Sequence, residues 1–214
     1  MRAGFAILAL TLFMLTGCGR DFGTSNMARY YDAGLRAEQA RDYQTAEEQY
    51  ERALVWAGTE KVPPSLLSLN LYNLGRMKGH GCKFAEAREL LLTSLAMEEQ
   101  VSGPDSTQVT RRLFELARLY YDRRQYADSL PYYDEGIAMI RKLKLEGDDP
   151  LNFSDALREY AAALRATGNS RAAAGAIAEA DALRARYPDE TRHYIIARYT
   201  AACRGTAGGP HNRA

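Results

Sequence analysis

The chain has 214 residues, of which 46% are apolar and 26% charged, and its 28 basic residues nearly balance its 27 acidic ones. This length and apolar content suffice for one domain with a continuous core. A net charge near zero argues against non-specific binding to nucleic acid or to an anionic membrane surface, because both depend on an excess of basic residues.

The first 26 residues are expected to lie outside the folded domain. Arg2 is followed by the apolar run AGFAILALTLFML, which suits the h-region of a signal peptide better than a membrane-spanning helix. The Leu-Thr-Gly-Cys sequence at 15–18 resembles the bacterial lipobox, which implies a signal peptide at 1–17 and a covalent lipid, such as palmitate, on Cys18. An ordinary secretory signal with a chance cysteine is the alternative. Residues 18–26 then comprise the lipidated cysteine and a flexible polar tether.

The central part of the chain, residues 27–187, is predicted to form repeated pairs of amphipathic helices. Apolar and small residues recur there at helical spacing on both sides of short polar turns. The four predicted units span about 27–60, 65–103, 106–146 and 150–187. A small residue early in each second helix recurs every 41 to 44 residues, at Ala46, Ala87, Ser129 and Ala173. One hairpin buries too little surface to be stable alone, so this period predicts an all-α fold, an α-solenoid of about four stacked hairpins.

After the repeats, residues 188–203 are predicted to form a C-terminal capping helix, and residues 204–214 a disordered tail. A solenoid needs such a cap because its last unit would otherwise expose apolar surface to water. The residues expected to cover the end of the stack are Tyr194, Ile195, Ala197, Tyr199 and Ala202.

The repeat pattern resembles the tetratricopeptide repeat, whose unit is usually about 34 residues. The excess of about eight residues corresponds to roughly one extra turn in each helix, and long units of that kind resemble the kinesin-light-chain type. The likeness is most specific in LAMEEQVSGPDSTQV, which joins two units through Gly-Pro-Asp, and in YADSLPYY, which carries a proline early in the second helix.

The tetratricopeptide resemblance implies that the first helix of each unit lines a concave groove that binds a protein or peptide partner. Carrying the inward-facing register of the family onto this sequence selects a set of aromatic and basic residues: Tyr31, Tyr72, Asn73, Arg76, Arg111, Phe114, Arg118, Tyr121, Arg158 and Arg165. Leu35 and Glu38 fall in the same register. Aromatic residues beside arginines suit a peptide of acidic or carboxylate character, since arginine both stacks and binds carboxylates in a fork. The alternative is that these are solvated helix faces.

No catalytic or metal-binding motif is present in the sequence, so the chain is predicted to be no enzyme and to need no metal or cofactor besides the lipid. His80-Gly81-Cys82 supplies two potential metal ligands without a second pair, which makes a solvated turn the better interpretation. Cys82 and Cys203 are expected to stand tens of ångströms apart, because they lie in the second unit and at the end of the capping helix and neighbouring helix axes are about 8–10 Å apart. A disulfide needs Cα atoms within about 7 Å, so no intramolecular disulfide is predicted.

Together these features predict a lipid-anchored, periplasmic scaffold or adaptor that binds a protein partner. Gly19, where an Asp would signal retention, implies by resemblance to enterobacterial sorting an outer-membrane anchor, although the sequence leaves inner or outer membrane open. Small lipoproteins with tetratricopeptide repeats resemble secretin pilotins and adaptors for cell-wall enzymes, and no residue distinguishes these two. Self-association, and a small-ligand receptor or enzyme with its site in the groove, are the remaining hypotheses. No binding to nucleic acid is expected.

Overall fold

The computed structural model describes residues 25–191, 197–199 and 203. Within them the chain forms eight α-helices and no strand, which confirms the predicted all-α fold. The helices are α1 (Asn26–Gln39), α2 (Tyr43–Ala57), α3 (Pro64–His80), α4 (Phe84–Ser102), α5 (Thr107–Asp122), α6 (Tyr126–Leu143), α7 (Pro150–Ala166) and α8 (Ser170–Arg186). None of the described helices is both long enough and apolar enough to cross a membrane. The predicted signal peptide, Cys18 and the C-terminal tail lie outside the described residues.

The helices form four hairpins that stack side by side. Each hairpin, α1–α2, α3–α4, α5–α6 and α7–α8, is one repeat unit, and the second helix of each unit packs on the first helix of the next. The first helices α3, α5 and α7 also contact one another directly. This places the first helices on the inner side of the stack, and we call the surface formed by α1, α3, α5 and α7 the inner face.

The helix boundaries follow from side chains that cap them. Ser25, Asp42, Ser106, Asp149 and Asn169 each accept a hydrogen bond from a backbone N–H in the first turn of the following helix. Such a cap satisfies a donor that has no partner within the helix and contributes about 1 kcal/mol. These caps explain why α1, α2, α5, α7 and α8 begin where they do.

The turn inside each unit contains one residue with a left-handed backbone at the same register position. These residues are Arg41, Cys82, Arg124 and Gly168, with φ between 60° and 91°. The second unit thus presents a cysteine in its turn where two other units have arginine.

The core of each unit is built from a small residue of the first helix that faces a large residue of the second. In the first unit an added Cβ on Gly34 would lie 2.6 Å from the ring of Tyr50, and in the second one on Gly75 would lie 2.9 Å from Leu91. In the third unit Ala117 and Tyr133 are both buried in one cluster. The small residue lets the two helix axes approach, and the large one fills the remaining space.

This packing predicts opposite effects for two glycine-to-alanine substitutions. Gly34→Ala should lower the free energy of unfolding by about 1–3 kcal/mol, because the fully buried Tyr50 ring cannot move away from the added methyl group. Gly175→Ala, in α8 with nothing within 4 Å of the added carbon, should raise it by about 0.5–1 kcal/mol through helix propensity. Urea unfolding followed by circular dichroism measures both, and a destabilised Gly175→Ala would contradict the described environment of α8.

The described residues 197–199 do not cover the end of the stack as predicted. Ala197–Tyr199 is not helical, and the fully buried Tyr199 packs in a cluster with residues of the second and third units, so the capping role expected for it is wrong. Tyr194, Ile195 and Ala202, which were predicted to share that role, lie outside the described residues. The chain therefore turns back across the inner face toward its own second unit.

The same reversal corrects the prediction about the cysteines. Cys82 and Cys203 form a disulfide with a Cα–Cα distance of 5.6 Å, across a sequence separation of 121 residues. The prediction failed because it placed Cys203 beyond the last unit, whereas the stretch from Tyr187 to Cys203 can reach back by up to about 50 Å when extended. The distance between the second unit and the end of the stack was estimated correctly, but the last segment was wrongly assumed to continue beyond the fourth unit.

Candidate functional site

Three of the residues predicted to line the groove are largely buried in the inner face. Asn73 donates a hydrogen bond from Nδ2 to the hydroxyl of Tyr31 (3.1 Å), and the Tyr72 hydroxyl donates to Glu115 (3.0 Å). These side chains are at most 8% exposed. They form the floor of the inner face and offer little surface to a partner.

Nearby carboxylates compensate the two central arginines, across units for Arg76 and within α5 for Arg118. Arg76 lies 2.6 Å from Glu38 and 3.7 Å from Glu115, and Arg118 lies 3.2 Å from Glu115. Burial alone would raise the pKa of Glu115, but the positive charges of Arg118 and Arg76 outweigh it and hold that pKa below its ordinary value. Because Glu115 stays ionised, it neutralises the charge that was expected to attract an acidic peptide.

The remaining predicted residues are spread over the inner face. Phe114 and Tyr121 are half-buried, and Arg111 is exposed on α5. Arg158 pairs with Asp181 of α8, so it is directed toward the second helix of its unit and is not brought together with the others. Arg165 is exposed in the last turn of α7.

The C-terminal segment binds across the inner face through Arg198. The Arg198 guanidinium pairs with Asp122 at the end of α5 and with Glu159 of α7. It also lies 5.2 Å from the centre of the Tyr121 ring, a cation–π distance. The Asp122 side chain is only 1% exposed, so Arg198 balances a carboxylate that water can hardly reach.

Tyr199 is anchored still more deeply, with no exposed surface. Its backbone N–H donates to Asp122 (2.9 Å), and its hydroxyl donates to Glu115. Its ring lies 4.8 Å from the His80 ring and touches Gly79, where an added Cβ would lie 2.5 Å from the ring. The third unit therefore accepts both described hydrogen bonds of Tyr199, and the second unit contacts its ring.

We call the residues that hold Arg198 and Tyr199 the acceptor site: Gly79, His80, Glu115, Asp122 and Glu159. All five lie on the first helices α3, α5 and α7. The site is thus shared by three successive units and exists only when they are stacked.

The sequence analysis missed this site, although part of its signal is visible in the repeat register. Glu115 and Glu159 occupy the same position in the third and fourth units, which predicts two carboxylates side by side on the inner face. The position of Gly79 is occupied in the other units by Glu38, Tyr121 and Arg165, so only the second unit leaves room for a ring. The partner of these residues, by contrast, could not be found from the period, because it follows the last repeat.

Comparison with known proteins agrees with this architecture. Residues 67–142, which cover nearly all of the second and third units, match the family model of the tetratricopeptide repeat. The second and third units are tetratricopeptide repeats. No curated protein sequence matches it.

Several solved tetratricopeptide-like structures resemble the stack. BtubC (BKLC) from P. vanneervenii superposes with a TM-score of 0.70 at 20% identity, over 80% of this chain and 68% of that one. A putative kinesin light chain of Podosopora anserina with nearly identical TPR-like repeats gives 0.62 at 19% identity, over 80% and 81%. A Rap protein complexed with Competence and Sporulation Factor gives 0.60 at 13%, over 78% and 45%. At these identities the likeness shows the fold alone, and it is the predicted kinesin-light-chain-like fold.

His80 is a buried titratable side chain of the second unit. Its ring stacks on Tyr43 at 4.1 Å and faces Tyr199 on another side. Burial, reinforced by the positive charge of Arg76 and opposed by Glu115, lowers the pKa of His80 to about 4. The imidazole is therefore neutral at pH 7 and resists protonation in the folded state.

This depressed pKa predicts that acid destabilises the fold through His80. As the pH falls below about 6.5 the unfolded chain binds a proton that the folded chain refuses until about pH 4, so the free energy of unfolding decreases through that window. Between pH 7 and pH 5 the loss from this group should be about 2 kcal/mol. His80→Phe, which keeps a ring between the two tyrosines, should show a smaller loss between the same pH values in urea unfolding. An equal loss in both proteins would contradict a buried neutral His80.

The chemistry available at the acceptor site is that of binding. Across the described residues no group of three or more histidine, cysteine and acidic side chains is placed to hold a metal ion. The carboxylates of the site are engaged with Arg198, Tyr199 and the two inner arginines. What the arrangement does is hold a peptide segment by charge pairing, a buried ring and a backbone hydrogen bond.

Proposed function

We propose that this protein is a lipid-anchored, non-catalytic adaptor of the periplasm that captures a protein partner along its inner face. Tetratricopeptide repeats generally serve as protein-interaction scaffolds, which supports the binding role. The anchor is Cys18, and the membrane is the outer membrane, with the repeats on its periplasmic side.

The observation that carries the proposal is that the inner face holds a peptide segment. First helices of three units converge on Arg198 and Tyr199, with the charge of the arginine paired and the tyrosine ring removed from water. A surface that binds its own chain in this way has the depth and the charge to bind another. The Rap protein, which has a similar fold, was solved in complex with Competence and Sporulation Factor, and this precedent supports the binding role.

The cysteines support the proposed compartment. Disulfides persist in oxidising environments such as the bacterial periplasm and are rare in the cytosol. The Cys82–Cys203 bond therefore agrees with the secretory signal and lipobox that the N-terminal sequence resembles.

Site-specific photocrosslinking in intact cells tests the binding role. A photoreactive phenylalanine analogue at Arg111, exposed on the inner face, should capture a protein partner on irradiation. The same analogue at Glu89, exposed on the second helix α4, is the matched control and should capture far less of it. Equal capture from both positions, or capture from Glu89 alone, would place the partner on another surface.

Exposed positions test partner binding better than charge reversal of Arg76 and Arg118 does. Arg118→Glu would place a second carboxylate beside Glu115 in a buried site, and Arg76→Glu would place one beside Glu38 in a half-buried site. Such variants would lose folded protein as well as binding.

The anchor is tested by Cys18→Ser in the full chain. The unaltered protein should float with membranes in a density gradient and carry lipid on the peptide that contains Cys18, because stable anchoring depends on its acyl chains. The variant should lose the lipid and leave the membrane fraction. Membrane association that survives the substitution would overturn the proposed anchor.

A further inference from the structure

The contacts of Arg198 and Tyr199 resemble those of a specifically bound peptide ligand more than those of a segment that only packs against the stack. The arginine contacts two carboxylates and an aromatic ring. The tyrosine ring fills a pocket, and carboxylates accept hydrogen bonds from its hydroxyl and its backbone N–H. Arginine and tyrosine are among the side chains, with tryptophan, that are enriched where the binding energy of protein interfaces is concentrated. This set of contacts therefore favours an Arg-Tyr pair over other dipeptides.

Among the four units, only the second has room for a tyrosine ring at this register position, because the residue there is Gly79. Any side chain at Gly79 would overlap the ring, and the corresponding residue of every other unit is large. Gly79 lies in the last turn of α3, before the cap residue Gly81. The missing side chain at this one register position leaves a pocket that the Tyr199 ring fills.

Charge complementarity gives the second half of the fit. Glu38 and Glu115 balance Arg76 and Arg118, whereas Asp122 and Glu159 have Arg198 as their described cationic partner from the segment. Without Arg198 the described positive charge near both carboxylates would be that of Arg118, which already pairs with Glu115. The site thus calls for a cation next to the tyrosine.

We propose that the acceptor site is the recognition site for a partner segment that carries an Arg-Tyr pair, and that Arg198–Tyr199 is an internal copy of that ligand. The proposal rests on the proposed function and specifies its partner. The Cys82–Cys203 bond holds the internal copy at the site, where its effective concentration exceeds that of a partner in solution. A partner binds when the internal pair is absent or displaced.

A peptide-binding experiment tests the proposal. The probe is a fluorescein-labelled peptide with the sequence of residues 196–201, IARYTA, and its control has alanine in place of both arginine and tyrosine. The receiving protein is the full chain with Arg198→Ala, Tyr199→Ala and Cys203→Ser, which empties the site. Fluorescence anisotropy should show binding of IARYTA at least about tenfold tighter to this variant than to the unaltered oxidised chain, and at least about tenfold tighter than the control peptide.

Two further variants test which residues read the peptide. Adding Glu159→Gln to the receiving protein should weaken binding of IARYTA about tenfold, because the arginine loses a charged partner. Adding Glu89→Gln, on the exposed side of α4, should leave it unchanged. Equal binding of both peptides, or no binding to a receiving protein that keeps its helical circular dichroism, would overturn the proposal.

A receiving protein that loses its helical signal is replaced by the chain with Arg198→Lys, Tyr199→Phe and Cys203→Ser. These substitutions keep the side-chain volumes and weaken the polar contacts, so IARYTA should displace the internal pair and bind, whereas absence of binding would overturn the proposal. The photocrosslinking result distinguishes failure of the Arg-Tyr recognition from failure of partner binding on the inner face. Capture from Arg111 without discrimination between the peptides would contradict the Arg-Tyr readout and leave the proposed function standing, whereas loss of both would contradict the proposed function itself.

Discussion

Reduction of the Cys82–Cys203 disulfide is expected to lower the free energy of unfolding by about 3–5 kcal/mol. The bond closes a loop across 121 residues of sequence, and a cross-link of that length removes a large part of the conformational entropy of the unfolded chain. It also joins the C-terminal segment to the second unit, so its loss frees the two ends of the stack to unfold separately. Urea unfolding of the full chain, with and without dithiothreitol, measures the difference.

Cys203→Ser provides the control for that experiment. The variant should unfold at the urea concentration of the reduced unaltered protein, and dithiothreitol should have no further effect on it. A reduced protein as stable as the oxidised one would contradict the loop closure, and a variant that still responds to reductant would assign the effect to another bond.

Glu115→Ala is expected to lower the free energy of unfolding by about 3–5 kcal/mol. The Glu115 carboxylate accepts from the hydroxyls of Tyr72 and Tyr199 and pairs with the buried Arg118. Removing it leaves a buried guanidinium without its counter-charge, and the Nε of Arg118 already has no hydrogen-bond partner among the described residues. Removing one partner of a buried ion pair costs this much because the other charge remains desolvated.

Glu89→Ala is the matched control, since Glu89 is exposed on α4 and its substitution should change the free energy of unfolding by no more than about 0.5 kcal/mol. Both variants are compared with the unaltered chain by urea unfolding at pH 7, where carboxylates are ionised. A loss below about 1 kcal/mol for Glu115→Ala would mean that water reaches Arg118 and that the inner face is more open than described.

The solenoid could be predicted from the sequence because its determinants are local and repeated. Gly34 and Gly75 recur at one spacing, each opposite a large residue of the following helix, and a periodic pattern of this kind requires stacked hairpins. The predicted tetratricopeptide resemblance, kinesin-light-chain-like in its long units, is confirmed on the same grounds. Nothing in the period, however, determines where a segment after the last repeat will bind.

The inner face shows a second limit of reasoning from register. Position identifies Arg76 and Arg118 as inward-facing, but the Arg76–Glu38 pair joins different units and is not visible in the register. The Arg118–Glu115 pair lies three residues apart within α5, so the helical spacing could have revealed it. The expected preference for an acidic peptide followed from the arginines and the aromatic residues beside them, without the carboxylates that pair with the arginines. The carboxylates that remain, Asp122 and Glu159, favour a basic segment.

The central claim is that residues 197–199 pack on the inner face of their own chain and that Cys203 reaches the second unit. The most direct measurement is a disulfide map of the full chain purified without reductant, by proteolysis and mass spectrometry of the monomer. The account predicts one linked peptide pair that joins Cys82 to Cys203 within a single chain. Both cysteines recovered as thiols, or Cys82 linked to a second copy of the chain, would contradict it.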